Sequence, residues 1–141
     1  MSRSGYSDDY DDQWALIRWR GAVASSIRGK RGQAFLCELI EALDAMPEKR
    51  LVAHDLQCPD GVCAIGSVGV QRGVDMSGLD PECPDLIAAT FKIAEPLVRE
   101  IEYMNDEVFW RDDPEARWQK MRAWAVANLA DAQTPSGDTH K

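Results

Sequence analysis

Over most of the chain the apolar residues recur at intervals of three and four, the period of one helix face. Phe35, Leu36, Leu39, Ile40, Leu43 and Met46 form the strongest such stripe, and Pro47 ends it. Upstream, Trp14, Ile17, Gly21, Ala24 and Ile27 keep the same spacing. The "SDDYDD" before them supplies caps and first-turn anions, so a helix is expected from about Asp9 to Ile27. Between the two stripes, "RGKRGQ" places glycine at 29 and 32, which predicts a helix stop and a turn over Arg28 to Gln33.

Past Pro47 the periodicity weakens. "KRLVAHDLQ" alternates over a few residues and is a candidate strand, while "CPDGVC" is turn chemistry. In "VCAIGSVGVQRG" the β-branched residues allow a strand, yet Val62, Ile65 and Gly69 suit a short, closely packed helix, and the helix is preferred. After the loop "DMSGLDPECPD" come "LIAATF" and "KIAEPLVREIEYMND", two helical pieces. The second has Pro96 in its first turn and an apolar face of Leu97, Val98, Ile101 and Met104. The last helix starts at Asp112 or Asp113 as N-cap, carries Pro114 and Glu115 in its first turn, and aligns Trp118, Met121, Ala125 and Leu129. The expected fold is mostly α: a compact, single-domain helical bundle of about five or six helices with at most a minor short strand pair. The domain spans 13–130, between a flexible acidic segment at 1–12 and a disordered tail at 131–141.

Composition narrows the function classes. A chain of 141 residues fits one domain, and no apolar run approaches the ~20 residues a membrane span needs. The N-terminus has neither a signal-peptide core nor transit-peptide character, so the expected location is the cytoplasm, with reduced thiols at Cys37, Cys58, Cys63 and Cys83. The nearest approach to a metal motif, His54, Cys58 and Cys63 as H-x3-C-x4-C, lacks a tight ligand pair; neither metal nor cofactor is expected. Only His54 and His140 are present, and no serine stands in a G-x-S-x-G context, so the sequence argues against a Ser/His/Asp enzyme.

Charge is unevenly distributed within the formal net of −8. Residues 80–115 hold eleven acids against Lys92, Arg99 and Arg111, and a solvated acidic face there would meet a basic partner surface and speed its capture. The candidate partner-binding residues are Glu95, Glu100, Glu102, Asp106, Glu107, Trp110, Asp112 and Asp113. Residues 18–33, by contrast, carry five bases and no acid. Trp19, Arg20, Arg28, Lys30 and Arg31 are candidates for holding an anionic ligand such as a nucleotide, although "RGKRGQAF" matches no phosphate-loop fingerprint and Arg18 and Arg20 stand roughly 200° apart on a helix. The charge of these bases is read chiefly as a counterweight to 80–115 within one molecule, with "RGKRGQ" as the one place where an anionic ligand could be held. Acid over the rest of the surface opposes direct nucleic-acid binding, and a helix-turn-helix reading of "LIAATFKIAEPLVREI" would give an acidic recognition helix starting at Glu95 and Pro96. That stretch reads better as a helical hairpin in the core. Trp19, Trp110 and Trp124 fall off the main apolar stripes and divide between interface anchors and core closure.

"RWRGAVASSIRGKRGQAFLCELIEALDAMPEKRL", "GVCAIGSVGVQRGVDMSGLDPE", "EIEYMNDE" and "PEARWQKMRAW" resemble a family of small tailed-bacteriophage and prophage proteins of unassigned function, over roughly Trp14 to Leu129. "VCAIGSVG" and "YMNDE" are also similar to a Cys-Ala-(Leu or Ile)-Gly segment and a later Asn-Asp pair in many other small phage proteins. The resemblance implies expression inside a bacterial host. Non-enzymatic, acidic phage accessory proteins of this size include anti-CRISPR and other anti-defence inhibitors, so the expected function is binding to a host protein or nucleoprotein complex, with a nucleotide-sequestering protein and a transcriptional regulator as alternatives.

Overall fold

The computed structural model describes residues 13–108 and 113–130. Among them are six α-helices, a π-helical turn and a two-stranded sheet: α1 Gln13–Arg28, α2 Lys30–Ala45, β1 Gln57–Cys58, β2 Gly61–Val62, α3 Ala64–Arg72, α4 Pro84–Phe91, α5 Glu95–Tyr103, the π turn Met104–Val108, and α6 Pro114–Ala127. The mostly helical expectation holds. Both proposed flanking segments, and residues 9–12 of the expected first helix, lie outside the described residues.

α2 organises the core. Its stripe of Phe35, Leu36, Leu39, Ile40 and Leu43 is buried, and it packs against α1, α3 and α6. Each such side chain removed from water contributes about 1.5–3 kcal/mol. α6 closes the opposite side with Met121 and Ala125, joined by Leu129 just past its end, as the spacing predicted. Asp113 caps it by accepting from the Ala116 N–H at 2.8 Å, and the Trp118 Nε1–H donates to the Leu43 carbonyl at 3.1 Å. Arg122 is bidentate to Asp44 at 2.7 and 2.9 Å, joining α6 to α2.

That ion pair has a pH signature. The Arg122 hydrogen bond holds the Asp44 carboxyl below the ordinary aspartate range. A depressed folded-state value contributes stability above the unfolded value and loses it as pH falls through the folded one. Asp44→Asn should therefore cost under ~1 kcal/mol at neutral pH, because the pair is exposed. In acid-titrated melts the gap between wild type and variant should close below the ordinary aspartate range.

The turn between α1 and α2 is shorter than the sequence suggested. α1 ends at Arg28, Gly29 alone is extended, and Lys30 already opens α2, so Lys30–Gln33 is helical rather than a turn. The reason is the close approach at Gly32, where a Cβ would overlap the Ser26 carbonyl. Gln33 then fills the corner. Its Nε2 donates to the Ile27 and Asn128 carbonyls at 2.8 and 3.1 Å, and its Oε1 accepts from the Ala130 N–H at 2.7 Å. One buried amide thus caps the ends of α1 and α6 together.

α1 presents only part of the expected face. Ala24 and Ile27 are half-buried as their spacing predicted, whereas Ile17 is 56% exposed, Gly21 faces open space, and Trp19, Val23 and Ser26 are half-buried in addition. The side chain of Trp14 lies outside the described set.

Residues 51–56 do not form the expected strand. His54 takes φ +72, which breaks an extended run, and the segment is an irregular strap. It is held by Val52 N–H on the Val62 carbonyl at 2.9 Å, Leu51 N–H on the Pro114 carbonyl at 3.1 Å, and Arg117 on the Leu51 carbonyl at 2.8 Å. The minor strand pair is instead the "CPDGVC" hairpin, with Gln57 opposite Val62 and Cys58 opposite Gly61. The preferred helical reading of 62–72 stands as α3, which ends on Gly73 at φ +76.

α5 runs through the middle, packed against α1, α3 and α4, with Leu97, Val98, Ile101 and Glu102 buried and its other residues half-buried. With α4 it forms the hairpin expected in the core, turning at Lys92 with φ +62.

Candidate functional site

Three places bring chemistry-bearing residues together. The first is the α1–α2 corner, where a cavity of about 290 Å³ is lined by Ser25, Ser26, Lys30, Arg31 and Ala94 and by the Gly29 and Gly32 backbone. Of the five predicted ligand-holding residues, only Lys30 and Arg31 line it. Arg20 and Arg28 are exposed and off the lining, and Trp19 is half-buried on α1. Among the described residues, no direct ion pair joins Arg18, Arg20, Arg28, Lys30 or Arg31 to the acidic segment. Ion pairs elsewhere include Arg72 with Glu38, Arg99 with Glu95, Arg122 with Asp44, and the His54–Asp106 contact.

The second is the acidic segment, which the structure splits. Glu102 and Asp106 are 0% and 1% exposed, so neither belongs to a partner-facing acidic surface. Glu95, Glu100 and Glu107 are half-buried and Asp113 is occupied as a helix cap. Trp110 and Asp112 lie outside the described residues. Asp80, Glu82, Asp85, Asp113 and Glu115 are exposed, and the first three lie ahead of and within the first turn of α4. With them stands Leu86, 43% exposed and one of few large apolar side chains left open to water.

The third was missed by sequence reasoning. In the π turn, buried Asn105 accepts from the Ala64 N–H at 3.2 Å and donates to the Val52 carbonyl at 3.0 Å and to Asp106 Oδ1 at 2.8 Å. Asp106 Oδ1 also accepts from the His54 N–H at 3.0 Å. The pair thereby ties the strap and the start of α3 to the end of α5. "CAIG" and "YMND" meet here. Cys63 caps α3, its Sγ accepting from the Gly66 N–H at 3.4 Å, Ala64 bonds Asn105, and Gly66 lies against the Leu56 carbonyl. The signal was available: Val98, Glu102 and Asp106, like Leu97, Ile101 and Asn105, are four apart and share a face.

His54 is an exposed imidazole, its Nδ1 3.7 Å from Asp106 Oδ2, which is longer than a hydrogen bond. The carboxylate accordingly holds the His54 backbone. Cys37, Cys58, Cys63 and Cys83 are free thiols, and the Asp85 carboxylate bonded to Cys83 pushes that thiol up. Among the described residues no three His, Cys, Asp or Glu side chains are grouped to hold a metal. Nor is any described helix long and apolar enough to cross a membrane. Trp118 and Trp124 pack against the core as closing rings. Comparison with protein families, with curated proteins and with solved structures found no match to this chain.

Proposed function

We propose that this chain is a phage accessory protein that acts without catalysis in the host cytoplasm, by binding a host protein or nucleoprotein complex and inhibiting its defence activity. The observation that carries the reading is the patch at the start of α4, where exposed Leu86 stands among the exposed carboxylates of Asp80, Glu82 and Asp85. An apolar anchor supplies affinity once covered, and the surrounding charge steers a basic partner surface into place. The patch replaces the broader acidic face suggested by the sequence, because burial removes Glu102 and Asp106 from it.

The test is capture from the host at low salt, followed by reconstitution with the purified partner. Affinity should fall as salt rises, at least tenfold on reversing Asp80, Glu82 and Asp85 to lysine, and further with Leu86→Ala. Reversal of the exposed Glu115 on α6 should leave it unchanged. Unaltered binding by the triple reversal would overturn the reading, as would full host defence in cells expressing the native chain.

A further inference from the structure

The cavity at the α1–α2 corner is independent of the α4 patch and has its own chemistry. Among the described residues its lining includes two cations, Lys30 and Arg31, two hydroxyls, Ser25 and Ser26, and no acid. Elsewhere Arg72, Arg99 and Arg122 each grip a carboxylate of this chain. Lys30 and Arg31 are exposed and, among the described residues, bound to no acid, although the chain carries 24 acids against 16 bases.

Their position is also electrostatically adverse. They open the 16-residue helix α2, whose first turn has no acidic residue and whose N-cap, Gly29, makes no side-chain bond. Two positive side chains there add to the positive end of the helix dipole rather than opposing it. A bound anion reverses the sign of both effects. The Ser26 and Ile27 carbonyls at the end of α1, which lie against Gly32, offset part of that repulsion, and an anion held between the two cations offsets the rest.

We infer that this cavity binds the phosphate group of a small phosphorylated molecule. Lys30 and Arg31 supply charge, and the Ser25 hydroxyl and the α2 first-turn N–H groups supply donors. At about 290 Å³ it stands at the small end of ligand pockets, large enough for a phosphate with part of what it is attached to. Trp19 and Arg20 are off the lining, so selectivity is for the phosphate and not for a base stacked on tryptophan. The corner backbone cannot open to a larger group by gaining a side chain at position 32, since a Cβ there overlaps Ser26.

The test is an amide NMR titration of the full chain with inorganic phosphate, adenosine 5′-monophosphate and adenosine. Saturable shifts are expected at residues 25–33 and 94 with the two phosphates and none with adenosine. Lys30→Gln with Arg31→Gln should weaken phosphate binding at least tenfold. Arg18→Gln with Arg20→Gln, in the same basic stretch but off the cavity, should leave it within twofold. All four side chains are exposed, so the variants should keep the native spectrum elsewhere. Absence of saturable shifts in the native chain would overturn the inference. So would shifts centred elsewhere, or equal losses in the two double variants.

Discussion

Gly66→Ala should destabilise the fold by about 3 kcal/mol or more, while the same substitution at Gly21 should stabilise it by about 1 kcal/mol. Both glycines sit inside helices, where alanine is favoured by about 1 kcal/mol. What differs is the space. A Cβ at Gly21 meets nothing within 4 Å, whereas one at Gly66 overlaps the Leu56 carbonyl oxygen and crowds the Val62 side chain at 3.0 Å. The Leu56 carbonyl is itself held by the Cys63 N–H at 3.2 Å, so it cannot retreat without giving up that bond. Steric cost therefore exceeds the propensity gain at one site and is absent at the other. For a domain of this size the changes correspond to a fall of roughly 10 °C in Tm for Gly66→Ala and a rise of a few degrees for Gly21→Ala. Paired thermal melts decide it. Equal shifts of the same sign would show that α3 does not press on the strap as described.

The second large effect is expected at Asn105. Asn105→Ala removes three hydrogen bonds from a residue that is 1% exposed and leaves the buried Ala64 N–H without its acceptor. An unsatisfied buried group costs about 1–3 kcal/mol, so the total should be about 3 kcal/mol. Asn105→Asp should rescue little, since it keeps the acceptor for Ala64, loses the donor to Val52 and sets a second carboxylate beside Asp106. Hydrogen exchange gives the specific readout. Protection should drop at the amides of His54 and Ala64 before it drops at Leu39 or Met121 in the core. A melting point within 2 °C of wild type would mean that the π turn does not bind the strap to α3.

The helices themselves were largely legible in the chain. The stripe of α2, the Asp113 cap with Pro114 on α6, and Pro96 at the start of α5 act within four residues, so local spacing was enough to place them. The small residues of α3 were also read correctly. Of the candidate sites, the concentration of bases at 18–31 was visible, yet only Lys30 and Arg31 reach the cavity, because a single glycine reverses the chain there.

What the sequence by itself determined was therefore the helical period, its breaks and the separation of charge. The tertiary structure decided which way α1 faces, that the hairpin lies in "CPDGVC" rather than in the strap, and that Glu102 and Asp106 are interior. The physical reason is range. Helix periodicity depends on neighbours three and four apart, whereas burying a carboxylate depends on donors brought from elsewhere, and the His54 N–H that holds Asp106 comes from 52 residues away. For Asp106, charge pointed outward while spacing pointed inward, and only the packed fold supplied the donors, the His54 N–H and the Asn105 amide, that let spacing prevail.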